Sequence, residues 1–176
     1  MSISIPRPEP DEYTEWYAGY IADAADITDL VTHLSRQGEQ TRKLFTALSD
    51  EQANFRYAPG KWSVKDIVLH LADAERVFSY RLLCFARNDA QPLPGFSETD
   101  WAVAAGAEVR GMAGLAAELF AARSSTVALL QGLDEDTLAR RGTANGNLFT
   151  VRSLAWIIAG HELHHLRIVR ERYLAS

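Results

Sequence analysis

Cysteine is nearly absent from this chain. Cys84 is the only one in 176 residues, so no internal disulfide can form and a reducing, cytoplasmic setting is expected. Positive charge is also short, with 18 Lys and Arg against 23 Asp and Glu and a formal net charge of -5. Phosphate backbones call for a clustered excess of Lys and Arg, so nucleic acid is not expected as a partner. No run approaches the roughly 20 apolar residues of a membrane span. The opening "MSISIPRPEPDEY" places proline and acids where a signal peptide needs an apolar run, so no membrane partner is expected. Alternation of the strand type is missing too, apart from a few residues around Asn145.

What remains is ordinary globular composition, 47% hydrophobic and 23% charged, at a length that suits one domain with a sizeable core. Residues 1–25 are expected to form an arm and a short helix bearing Tyr13, Trp16, Tyr17 and Tyr20, packed on the domain or on a second subunit. Residues 26–176 then form a single domain. A helix is expected from Asp26 as N-cap, with Leu30, Val31, Leu34, Gln37, Thr41, Leu44, Phe45 and Leu48 at three-four spacing. Only Gln37 and Thr41 break its apolar stripe. A loop follows over 48–62. A second helix starts at Ser63, with Asp66 completing a capping box, and runs to about Ala86. Two prolines and a glycine interrupt the pattern after it, and a short helix is expected over 100–105. A third long helix covers about 108–131. "RRGTANGNLFT" reads as a turn-rich connector around Asn145-Gly146, and a fourth helix runs over about 151–174 from Thr150. Four long amphipathic helices with long connections predict an all-α four-helix bundle.

The chemistry concentrates in "HELHH", residues 161–165, which fits the H-E-x-x-H pattern of zinc proteases. At about 100° per residue, His161 and His165 share one stripe with Leu154, Ile157, Ile158, Ile168 and Val169, while His164 turns away. Two imidazoles do not hold a catalytic metal firmly; three protein ligands are usual. His70, in line with Ile67, Ala74 and Val77 on the second helix, is the candidate third ligand. Two readings stand: a metal site of His70, His161 and His165, or three core histidines hydrogen-bonded separately. His33 reads as an ordinary surface or core histidine. The protease reading is weak. The segment 166–176 supplies no further histidine, and little strand is present to hold an extended peptide. Glu162 is expected to be a salt-bridging surface glutamate near the flank of the stripe, and its part in the match, like that of His164, to be chance.

Two stretches carry a resemblance. "APGKWSVKDIVLHLADAERVFSYRL" (58–82) has a Trp-Ser-Val start before a helix with a histidine followed by Leu-Ala-Asp-Ala-Glu. "NGNLFTVRSLAWIIAGHELHHLRIV" (145–169) places two histidines four apart near the end of the last long helix. In this order and spacing the chain resembles the DinB-like family, also called DinB/YfiT-like "putative metalloenzymes", from about residue 27 to 174. The resemblance implies a bundle with a divalent metal held by His70, His161 and His165. Zinc or nickel is typical, with manganese or iron as alternatives, and many members are dimers. It implies a metal-dependent thiol S-transferase using a low-molecular-weight thiol such as bacillithiol or mycothiol, or a hydrolase, acting on a small-molecule substrate. The alternative is a non-catalytic, stress-associated binding bundle with a structural or vestigial metal. Members often follow the last histidine with Arg-Gly-Gln, whereas this chain has Leu166-Arg167-Ile168. Asp73 is a candidate outer contact or a plain salt bridge, and Arg81 a candidate anion ligand or an inward-leaning ion pair. Cys84 is expected in the core rather than as a nucleophile, and Trp62 at the mouth of the site or as an anchor of the helix start.

Overall fold

The computed structural model describes residues 3–89 and 91–175. Its helices in chain order are α1 (Ala18–Asp23), α2 (Leu30–Thr46), α3 (Asp50–Asn54), α4 (Val64–Ala86), α5 (Glu98–Ala105), α6 (Met112–Gln131), α7 (Glu135–Leu138) and α8 (Val151–Arg172). Two short strands, β1 (Arg141–Ala144) and β2 (Asn147–Thr150), precede α8. The fold is an all-α four-helix bundle built from α2, α4, α6 and α8.

Local chemistry sets the helix starts. Ser63 accepts from Asp66 N at 3.2 Å and Asp66 Oδ2 accepts from Ser63 N at 2.8 Å, the reciprocal box expected at α4. Thr150 and Ser153 form the corresponding box at α8. The first long helix begins later than expected. Asp29, not Asp26, is its N-cap and accepts from Thr32 N at 3.0 Å, because Asp29 also takes the Thr32 hydroxyl at 2.7 Å. The loop after α2 contains α3, started by a box between Ser49 and Gln52. The segment 107–109 is a separate 3-10 turn, so the third long helix starts at Met112.

Asn145 and Gly146 both have positive φ, 51° and 71°. That conformation suits a two-residue hairpin turn, and it pairs Ala144 with Asn147 and Arg141 with Thr150. The suggestion of strand around Asn145 is therefore a real hairpin, extended among the described residues only by single bridges to Tyr13 and Leu93. By length and composition α6 is apolar enough to cross a membrane, contrary to the expectation that no segment comes close. In this fold it lies between α2 and α4 and carries a buried arginine, Arg123, on its inner face.

Two pairs of consecutive long helices, α2 with α4 and α6 with α8, stand diagonally, while α4 and α6 are neighbours. α2 packs mainly on α6, α6 on α4, α4 on α8, and a lighter contact of α8 with α2 closes the ring. The core divides into two apolar clusters. One holds Leu34, Phe78, Leu82, Leu130, Leu154 and Ile158; the other holds Phe45, Ile67, Leu71, Leu115, Leu119, Leu166 and Val169. On each long helix a polar inward residue lies between these stations: Gln37 and Thr41 on α2, His70 and Glu75 on α4, Arg123 on α6, His161 and Glu162 on α8. The bundle thus has a polar middle layer.

The N-terminal segment belongs to this assembly. Trp156 Nε1 donates to Ile5 O at 3.2 Å, and Arg152 makes a two-pronged pair with buried Glu12 at 2.6 and 3.0 Å. α1 packs along α8, with Ile21 and Tyr17 buried. The closest approach is at Gly160, where a Cβ would stand 1.9 Å from the Tyr20 carbonyl oxygen.

Candidate metal centre

α4 and α8 each present one turn of the middle layer to the other, and the three expected histidines meet there. His70 Nε2 lies 3.1 Å from His161 Nε2, and His165 Nε2 lies 3.2 Å from it. All three ligating nitrogens fall within 4.8 Å of one another. Three imidazole nitrogens at about 2.0–2.1 Å from one tetrahedral zinc stand roughly 3.4 Å apart, so two of these spacings lie within tenths of an ångström of a metal-filled set. No carboxylate joins the group among the described residues.

The electrostatics favour neutral imidazole. Burial pushes His70 down to about 4. Burial, then the neighbouring His70 and His164, pushes His165 to about 3. His161 lies well below its usual value through burial, the three other imidazoles and Arg123. Neutral rings protonated at Nδ1 would turn three Nε2 lone pairs toward one another, where a divalent cation satisfies them and a proton does so only at a high desolvation cost. The donor set and its spacing fit a divalent metal.

Aromatic rings fix the imidazoles. Trp62 stands 4.9 Å from His70, Tyr20 stands 5.3 Å from His161 and Phe78 stands 5.6 Å from His161 between ring centroids. Two cavities reach the trio. One, of about 310 Å³, is lined by His161, Trp16, Tyr17, Tyr20, Phe78, Arg81, Phe96, Glu98, Thr99 and Asn145. The other, of about 340 Å³, is lined by His165, Trp62, Ile67, Thr99, Ile168, Tyr57 and Tyr173. Thr99, at the start of α5, touches both.

Glu162 departs from the sequence reading. It is not on the surface but 2% exposed. Its carboxylate pairs with Arg123 Nη2 at 2.6 Å and accepts from the Thr41 hydroxyl. Arg123 also grips Glu75 with two bonds of 2.8 Å and donates to Gln37 Oε1 at 3.1 Å. Burial opposes the charge on Arg123, but Glu162 and Glu75 outweigh it and raise its pKa. A single inward stripe does not describe α8, which buries two faces. In a ring of four helices α8 faces α4 with His161 and His165, and reaches Arg123 of α6 with Glu162. Arg123 and Glu75 escaped the sequence reading altogether. The signal available was the pair of polar breaks, Gln37 and Thr41, in the α2 stripe.

Asp73 is half-buried and pairs with Arg76 at 3.4 Å. His164 lies outside the trio, 3.6 Å from Asp23. His33 is half-buried, and its Nε2 is shielded with no hydrogen-bond partner among the described residues. Cys84 is buried on α4. Arg81 is 3% exposed and lines the cavity that reaches His161.

With this geometry in hand, the chain can be set beside known proteins. A sequence model of the DinB superfamily matches residues 33–169. A protein of Geobacillus thermodenitrificans is 31% identical over 84 residues, 48% of this chain and 47% of that one. One of Geobacillus kaustophilus is 29% identical over 85 residues, 48% of each. Both bear the name "putative metal-dependent hydrolase". The chain spans about half the length of these curated relatives. Among solved structures, YfiT from Bacillus subtilis superposes with a TM-score of 0.73 at 19% identity, covering 83% of this chain and 85% of the other. YfiT is described as a probable metal-dependent hydrolase with an unusual four-helix bundle topology.

Proposed function

The chain belongs to the DinB superfamily, and on that premise we propose that it is a divalent-metal-dependent enzyme that hydrolyses a small molecule. The observation that carries the proposal is the convergence of three imidazoles at 3.1 and 3.2 Å, His70 and His161 buried and His165 half-buried. His70, His161 and His165 would hold the metal. All-imidazole ligation suits zinc or nickel, and also iron. Held there, such an ion would supply Lewis acidity for a substrate carbonyl and for a nucleophile at neutral pH.

The protein's own residues do the rest. Trp62, Tyr20 and Phe78 hold the imidazole planes and exclude water from their flanks. Glu162 does not act as the general base of the protease pattern, because Arg123 and Thr41 occupy its oxygens. It ties the turn that carries His161 to α2 and α6. The names of the relatives speak for hydrolysis. The two cavities favour a second reading, thiol S-transfer, since they give a thiol and an electrophile separate approaches to the trio.

The test has two steps. Metal content is measured after dialysis against zinc or nickel, with one ion per chain expected. The loaded protein is then screened against ester, amide and lactam substrates, and against electrophiles with a low-molecular-weight thiol. Product release without thiol consumption supports hydrolysis, and stoichiometric loss of thiol selects transfer. A metal-loaded protein inert in both screens points to the non-catalytic binding reading.

A further inference from the structure

Among the described residues two arginines are buried, Arg81 and Arg123, and their surroundings differ. Arg123 is balanced by two carboxylates. Arg81 is 3% exposed, yet no carboxylate among the described residues comes within 4.0 Å of it. Its Nη2 donates to the Pro94 carbonyl at 3.0 Å, and the Tyr17 phenol lies beside it. A guanidinium has five N–H donors in a planar fork. Neutral partners cover part of that fork and leave its charge uncompensated. An unpaired buried charge is costly, and an anionic ligand would offset that cost.

The position of that charge is informative. Arg81 and His161 both line the aromatic cavity of about 310 Å³. The Phe78 ring spans the interval, 6.0 Å from Arg81 Cζ and 5.6 Å from the His161 ring. The guanidinium and the His161 imidazole thus both neighbour one aromatic side chain. We propose that this cavity selects a small monoanionic carboxylate with a planar or apolar body, its carboxylate on Arg81 and its reacting end at the three histidines. Glu98 also borders the cavity, and its negative charge disfavours a dianion such as a phosphate monoester. The volume lies at the low end of small-molecule sites, which suits a body about the size of one ring. The inference rests on the proposed metal site for the reacting end, while the anion contact at Arg81 stands by itself.

The test separates the two. The matched pair 3-phenylpropionate and 3-phenylpropionamide, with phenyl phosphate as a third probe, is titrated by calorimetry into chelator-treated and metal-loaded wild type. The carboxylate is expected to bind metal-free wild type about tenfold or more tightly than the amide, the scale of one charge-assisted contact, and more tightly than phenyl phosphate. Arg81→Gln should bring the acid-to-amide ratio to about one, and Arg81→Lys should keep part of the preference. Equal binding of acid and amide by wild type overturns the proposal, and that comparison needs no variant to fold. So does a preference that survives Arg81→Gln, tighter binding of the phosphate, or carboxylate binding that requires loaded metal. Failure to load metal would refute the metal centre while leaving the metal-free preference to stand or fall separately.

Discussion

At the scale of the residue, the account depends on three imidazoles kept neutral by burial. Replacing His70, His161 or His165 with Ala should weaken metal binding by more than the roughly 10–100-fold that follows loss of an outer hydrogen-bond partner. Thermal unfolding gives the readout: excess zinc should raise the wild-type Tm and leave the variants unmoved. The same burial predicts a pH dependence for the metal-free protein. His70 and His165 sit near 4 and 3 when folded, against about 6.5 when unfolded. Between those values the unfolded chain holds more protons than the folded one, so stability rises with pH. The contribution is therefore fully present above about pH 6.5 and is lost as pH falls toward 4 and then 3. Urea midpoints from pH 8 to 4 should show this loss, with a shallower slope in His165→Asn. The trio was legible in the sequence because a helix turns the positions of 161, 165 and 70 into directions. Glu162 was not legible, because its environment is set by Arg123, a residue 39 positions away on a helix whose rotation no local pattern fixes.

At the scale of the element, the middle layer and the α1–α8 contact decide how the centre is held. Arg123→Met would leave Glu75 and Glu162 as buried carboxylates without a cation. The expected loss is about 3–5 kcal/mol, typical of breaking one side of a buried pair. Converting both glutamates to Gln in the same protein should recover much of it. Urea denaturation of the single and triple variants measures both, and a single-variant loss below about 1 kcal/mol would show that the network contributes little. Gly160→Ala places a methyl against the Tyr20 carbonyl oxygen. Because backbone cannot swing aside as a side chain does, α1 must shift, at about 1–3 kcal/mol. Hydrogen exchange over residues 18–23 should accelerate. Gly114→Ala, with open space at its Cβ inside α6, should instead stabilise by up to about 1 kcal/mol. Helix existence was legible from three-four spacing, and so were the box at Ser63 and the cap at Thr150. The true start at Asp29 was not, because Asp26 offers the same side-chain chemistry and only the Thr32 contacts separate them.

At the scale of the whole molecule, setting α2 diagonal to α4 and α6 diagonal to α8 brings α4 and α8 face to face. Spacing along the chain predicted a bundle but not this order, since amphipathic stripes specify that faces are buried and not which partner buries them. The order matters for function. It places His70 across from His161 and His165, it sets Arg123 behind them, and it leaves cavities on two sides of the trio. The central claim is that these imidazoles form one divalent-metal site. X-ray absorption at the zinc edge, on protein loaded to equilibrium and dialysed free of excess ion, tests it most directly. The account predicts one ion per chain with three imidazole nitrogens at about 2.0–2.1 Å, and loss of that signature in His161→Ala. A chain that stays metal-free in excess zinc, nickel, manganese and iron, or that binds an ion equally well without His161, would contradict it.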